Sequence, residues 1–214
     1  MQRSLNPEIM DDPGMPDEIW ESLHDQLGFV HRFLGNQRAI LDALRRDPKP
    51  VRRVLDIGCG NGALLDEIRR TLGVDVTGVE LRPPKRTSFD VPIVEADAIR
   101  DPLPEADVAI CVLVAHHLSE PDIIALVRNA GRSVRRFLIL DLIRSRLPLL
   151  LFSAFLCPLV SREIAVDGRQ SIRRAYTTQE LRSIVERAVA GFSARIEQSV
   201  TPLRSRQVID IRWN

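Results

Sequence analysis

The chain has 214 residues, enough for one α/β domain with a two-sided sheet and a sizeable core. A hydrophobic fraction of 44% and a charged fraction of 28% are ordinary for a globular protein, and a net charge of +1 provides no basic field to draw it to nucleic acid. Cys59, Cys111 and Cys157 are far apart with no CxxC pair, which excludes zinc-finger spacing and a disulfide framework and leads us to expect a reduced, cytoplasmic setting. The opening stretch, Met1 to Asp12, is polar and acidic and carries no apolar signal-peptide core. From Asp17 to Leu44 apolar residues recur at helical spacing (Ile19, Leu23, Leu27, Val30, then Leu34, Ile40, Leu41, Leu44), and Gly35 is expected to separate two helices. A turn at Asp47-Pro48-Lys49-Pro50 ends this part.

Short apolar runs then alternate with helical stretches. Strands are predicted at Arg53–Ile57, Val74–Leu81, Pro92–Ala96, Ala106–Val114 and Arg136–Ile143, with helices over Ala63–Leu72 and near Pro121–Ala130. Continuous apolar strands of this kind suit a parallel sheet covered on both faces. Thr178–Ala190 reads as a helix with Thr177 or Thr178 as its N-cap, and Phe192–Val200 and Arg206–Trp213 as an antiparallel hairpin. The whole is one domain of four parts. Residues 1–46 form an N-terminal helical cap, 51–143 the ligand-binding core, 144–177 an insertion after the fifth strand, and 178–214 the last helix and hairpin.

Val54-Leu55-Asp56-Ile57-Gly58-Cys59-Gly60-Asn61-Gly62 is the most informative stretch. A buried strand runs into three glycines at alternate positions and then into a helix. Glycine permits the tight turn and lets a ligand lie against the backbone, and the helix start offers free N–H groups to an anionic part of that ligand. Glu80, 24 residues after Asp56, ends the second strand, close to the ~20-residue separation of a ribose-binding acid. These features suit a nucleoside with a short charged tail. The relaxed dinucleotide pattern is also satisfied by Gly58-x-Gly60-x-x-Ala63. Three features favour S-adenosylmethionine instead: Asp56 two residues before the first glycine, Gly62 completing GxGxG, and the acid Asp97 after the third strand.

On these residues the chain resembles the class I S-adenosylmethionine-dependent methyltransferases, from about Val51 to Ile143 and in the topology of its hairpin end. The resemblance implies a Rossmann-like fold, a seven-stranded and mostly parallel sheet with a C-terminal antiparallel hairpin. It also implies S-adenosylhomocysteine as product. It assigns Asp56 and the loop Gly58, Cys59, Gly60, Asn61, Gly62 to the methionine part, Glu80 to the ribose, Leu81 to the face of the adenine, and Asp97 and the Ala98 N–H to its edge. Cys59 needs no chemistry of its own, being a small residue in a tight loop.

The acceptor side is expected after the fourth strand, at Ala115-His116-His117-Leu118, because ligands of α/β sheets sit at the carboxyl ends of strands. Adjacent side chains diverge, so one ring is expected to face the cleft; the resemblance favours His117, as cleft wall or as general base, with His116 the alternative. No carboxylate cluster accompanies the pair in sequence, so no metal is expected. The Asn/Asp-Pro-Pro-aromatic motif of enzymes that methylate nucleic-acid bases is missing here, and so are the acidic metal ligands of catechol-type enzymes. Leu147–Val160 (LPLLLFSAFLCPLV) is too short to span a bilayer, which takes ~20 apolar residues. It is expected to cap the cleft and select apolar acceptors, with weak contact to a membrane surface as the competing role. The sequence reading is therefore methyl transfer to a small, largely apolar acceptor, phenolic or polyketide-like, at oxygen. C-methylation of a quinone-like ring is the alternative, and an NAD-dependent oxidoreductase or a non-catalytic nucleoside-binding protein are the readings of another class.

Overall fold

The apolar runs after Pro50 become strands, and the computed structural model, which describes residues 1–12, 14–85 and 87–214, shows how they are ordered. The strands are β1 (Arg53–Ile57), β2 (Asp75–Glu80), β3 (Ile93–Glu95), β4 (Val108–Val112), β5 (Arg136–Leu142), β6 (Ala194–Val200) and β7 (Arg206–Trp213). Among the described residues they form one sheet in the order β3-β2-β1-β4-β5-β7-β6. The first five are parallel, and β7 inserts antiparallel between β5 and β6. This is the Rossmann-like arrangement with a terminal hairpin that the resemblance implies.

Both faces are covered, which is why β4 and β5 have no polar alternation. Helices α2 (Asn36–Arg45) and α3 (Ala63–Leu72) bury Ile40, Leu44, Leu65 and Ile68 against one face. Helices α4 (Glu120–Ala130) and α7 (Thr178–Ala188) bury Ile123, Leu126, Leu181 and Val185 against the other. Thr177 is the N-cap of α7: its hydroxyl accepts from the Glu180 N–H, and the Glu180 carboxylate accepts from the Thr177 N–H.

Two helices precede β1 as expected, α1 (Asp17–Phe33) and α2, broken at Gly35, whose φ of 72° is left-handed. The buried stripe of α1 differs from the expected one by a residue. Trp20, Leu23 and Val30 are buried and Ile19 is exposed, because Trp20 offers the larger apolar surface and stacks on His24 with ring centroids 3.5 Å apart. The insertion folds as α5 (Arg146–Leu151), one turn of π-helix (Phe152–Leu156), a 3-10 turn (Cys157–Leu159) and α6 (Arg162–Arg174). A third apolar cluster joins α1 to α6 through Trp20, Leu23, Val30 and Ile164. No helix of the described residues is long and apolar enough to cross a membrane.

Candidate active site

Strand order reverses between β1 and β4: one chain direction runs on to β2 and β3, the other to β5. A crevice opens at the carboxyl ends of the strands at such a point. The glycine loop leaves β1 and the His116-His117 turn leaves β4 on that edge, so residues about 60 apart in sequence share one cavity. Its volume is about 670 Å³, within the range that holds small ligands.

The loop is shaped by left-handed backbone at Gly58 and Gly62, with φ of 73° and 83°. A Cβ on Gly58 would lie 2.5 Å from a methyl of Val114, so only glycine lets the loop pack on the segment after β4. Cys59 turns away from chemistry. Its sulfur fills the space above Gly78, where a Cβ would meet it at 2.4 Å, and burial together with Asp56 and Glu80 pushes its thiol up, away from the reactive thiolate. Asn61 accepts from the Ala63 N–H at 3.2 Å and reaches Asp25 at 3.3 Å.

Asp56 is buried at the end of β1, and its Oδ1 has no hydrogen-bond partner. Burial, reinforced by the neighbouring Glu80, pushes its carboxyl up to about 8. A buried polar atom left unpaired in this way fits a ligand donor, and the ammonium group of a methionine moiety is such a donor. Glu80 stands across from it. One oxygen accepts from the Gly60 N–H at 2.9 Å and the other from the Leu81 N–H at 2.9 Å, so it holds the loop at the cavity wall. Burial raises its carboxyl, opposed by these backbone bonds. Asp97 accepts from Ile99 N–H and from Arg100, both near 2.9 Å. Leu81, Asp97 and Ala98 line the same cavity.

At the turn after β4 both histidines line the cavity, not one. Leu113, just past β4, takes a left-handed φ of 59°, a strained conformation for a leucine. The chain then makes a 3-10 turn at Ala115–His117, which brings the two ring centroids to 4.2 Å. The pair is also not free of carboxylates. His116 Nδ1 lies 2.7 Å from Asp141 on β5, and His117 Nδ1 lies 2.9 Å from Asp11. The Nε2 atoms lie 3.7 and 3.9 Å from the two oxygens of Glu8. Burial pushes Glu8 up to about 7, against the pull of His117, Ser171 and Arg174. Partial burial pushes Asp11 up too, but hydrogen bonds from His117, the Glu8 N–H and Arg174 prevail and hold it well below the ordinary carboxylate range.

Sequence reasoning missed Glu8 and Asp11, which lie in a polar stretch without periodicity. Asp141 had a signal, since an acid inside the apolar run RFLILDLI needs a buried partner. The insertion also differs from expectation. The cavity is lined by the N-terminal segment and by Trp20, His24 and Leu27 of α1, and by no residue of 144–177. Leu147, Leu150, Phe155 and Leu159 point outward and are exposed. What the insertion does is anchor the N-terminal segment: Asp167 accepts from the Ile9 and Met10 N–H groups at 2.7 and 3.0 Å, Ser171 donates to Glu8, and Arg174 pairs with Asp11.

A crevice at the sheet's reversal point, with a glycine loop and an unpaired buried acid beside it, is the ligand site of an α/β protein of the Rossmann-like class. The chain belongs to the family described as "Methyltransferase domain", which matches residues 29–187. It is an enzyme, and S-adenosylmethionine is its methyl donor; this replaces the oxidoreductase and non-catalytic readings. No curated protein sequence matches it. Among solved structures it is similar to the plantazolicin methyltransferase BpumL bound to SAH, with a TM-score of 0.71 and 15% identity over 94% of this chain and 92% of that one. The mitomycin 7-O-methyltransferase MmcR gives 0.64 and 19% over 92% and 58%. The small RNA methyltransferase HEN1 gives 0.63 and 14% over 84% and 25%. At these identities the likeness is one of fold.

Proposed function

We propose that the methyl group goes to the oxygen of a small, largely apolar acceptor, phenolic or polyketide-like. The observation that carries this reading is the shared cavity. Donor-side Asp56 and Glu80 and acceptor-side His116 and His117 line one cleft whose remaining wall includes Trp20, Leu27, Leu113, Val114 and Leu118. When bound, the donor supplies a methyl group on a sulfonium, already activated for transfer. The chain then has to exclude water, align the acceptor, and take up the proton of its hydroxyl. Asp56 and the loop hold the methionine end, Glu80 the ribose, Leu81, Asp97 and Ala98 the adenine. The acceptor hydroxyl faces His117 and His116, and its proton leaves toward that carboxylate-rich cluster.

The name of MmcR places that protein's transfer at oxygen, and the same fold serves a small RNA methyltransferase, so fold alone does not choose the acceptor. The net charge of +1 supports the small molecule, because binding of a nucleic-acid backbone draws on clustered positive charge. The test is a screen of phenolic and quinone extracts with labelled donor. Label on a phenolic oxygen supports the reading, label on a ring carbon replaces it with C-methylation of a quinone-like ring, and label only on RNA removes it.

A further inference from the structure

The two histidines are built alike in a way the methyl-transfer reading does not require. Each ring sets Nδ1 against a carboxylate that can only accept when ionised, Asp141 for His116 and Asp11 for His117. That contact puts the ring proton on Nδ1 and leaves the Nε2 lone pair free. A carboxylate behind a histidine is the arrangement that orients imidazole for a metal and raises its basicity. Both Nε2 atoms then face the same third group. Glu8 Oε1 is 3.7 Å from His116 Nε2, and Glu8 Oε2 is 3.9 Å from His117 Nε2. These spacings exceed hydrogen-bond reach, yet one ligand atom from each of the three residues lies within 4.8 Å of the others. Ligands ~2.1 Å from one tetrahedral ion stand ~3.4 Å apart, so a small inward shift completes a three-ligand set. The Glu8 side chain is 6% exposed, and its Oε1 has no hydrogen-bond partner.

Charge agrees. Glu8, Asp11 and Asp141 set three acids around the pair, against two guanidinium groups, Arg174 beside Glu8 and Asp11 and Arg3 donating to the His116 carbonyl at 3.0 Å. Arg174 is the competing cation. Its nearest nitrogen is 3.7 Å from Glu8 Oε1, while its hydrogen bonds go to Asp11 and the His117 carbonyl.

We propose that His116 Nε2, His117 Nε2 and the Glu8 carboxylate bind one divalent first-row cation, with zinc the best match to two imidazoles and a carboxylate and with a position open to the cavity. That the open position receives the acceptor oxygen rests on the methyl-transfer reading above. A cation there would make an acceptor hydroxyl easier to ionise. The transfer remains redox-neutral: an O–H bond breaks, an O–C bond forms, the C–S bond to the sulfonium breaks, and one proton is released.

The test is calorimetric titration of the full chain with Zn²⁺ after removal of metal by a chelator, repeated with Glu8→Gln and with His117→Ala. One ion per chain is expected, bound at least ~10-fold more weakly by each variant. Co²⁺ should give a visible spectrum of nitrogen and oxygen ligation. Titration of the same samples with S-adenosylhomocysteine checks that each variant is folded, and the isosteric Glu8→Gln guards against loss of the more buried His116. No stoichiometric binding, unchanged affinity in both variants, or a thiolate-to-Co²⁺ band from a cysteine would overturn the proposal. The titration uses no acceptor, so a failed acceptor screen would sink the small-molecule reading and leave the cation site standing; the converse also holds.

Discussion

At the residue scale, Asp56 sets function against stability. Its folded-state carboxyl sits near 8, against an ordinary value of 3.8, because it is buried without a partner and faces Glu80. The sign follows from proton counting. Between those values the folded state keeps a proton that the unfolded chain has lost, so stability falls as pH rises through the window from about 4 to about 8. Asp56→Asn removes that slope. Its melting temperature should gain on the wild type as pH is raised from about 5 to about 8. The same variant should bind S-adenosylhomocysteine more weakly, because the donor's ammonium loses its carboxylate. Equal slopes of melting temperature against pH would show that Asp56 is ionised in the free protein. The acid's position before the first glycine could be read from the chain, but its lack of a partner could not, since that depends on what β2 and β4 place around it.

At the element scale, the N-terminal part covers the cavity as a cap, while the insertion, expected to cap it too, lines none of it. The apolar run 147–160 looked like the wall of an acceptor pocket because hydrophobic content records burial or contact, not location. Its prolines and a π-helical turn instead leave Leu150, Phe155 and Leu159 outside, near exposed Arg146 and Arg162. Phe155→Asp should therefore leave acceptor affinity unchanged. The wild type should float weakly with anionic liposomes and this variant should not. A loss of acceptor affinity would return 147–160 to the cleft. Helix α6 holds the true cover: Asp167 caps the Ile9–Asp11 turn by two short hydrogen bonds. Asp167→Ala should expose residues 5–12 to hydrogen exchange and proteolysis at a local cost of ~1–3 kcal/mol, with little change in the global melt. Protection equal to the wild type would mean that side-chain pairs such as Arg174–Asp11 suffice.

At the scale of the whole molecule, a buried cation on β5 joins parts of the fold far apart in the chain. Arg136 opens β5 and pairs with Asp210 of β7 at 2.8 Å and with Asp47, at the end of the α2 segment, at 2.9 Å, each side chain at most 12% exposed. It ties the terminal hairpin to the parallel core and to the helical N-terminal part. Removing one partner of a buried pair leaves charge uncompensated, at ~3–5 kcal/mol, and Asp47 keeps the effect at the low end here. Asp210→Ala should lower the urea midpoint accordingly, without changing S-adenosylhomocysteine affinity in the folded protein. A shift under ~1 kcal/mol would show the hairpin to be held by its apolar ladder alone. Features that depend on neighbours along the chain were legible in the amino-acid order alone. The core strands followed from apolar runs, the helix break and cap from Gly35 and Thr177-x-x-Glu180, and the turn into α3 from a glycine loop whose residues are contiguous. Features that depend on residues meeting across the fold came from the three-dimensional packing. Glu8 and Asp11 meet His116 and His117 over more than a hundred positions, Asp141 reaches His116 from the next strand, and the insertion backs the cover without forming it. A polar segment without periodicity carries no local signal of its destination, because its place is set by the buried groups of other elements that need its hydrogen bonds and charge.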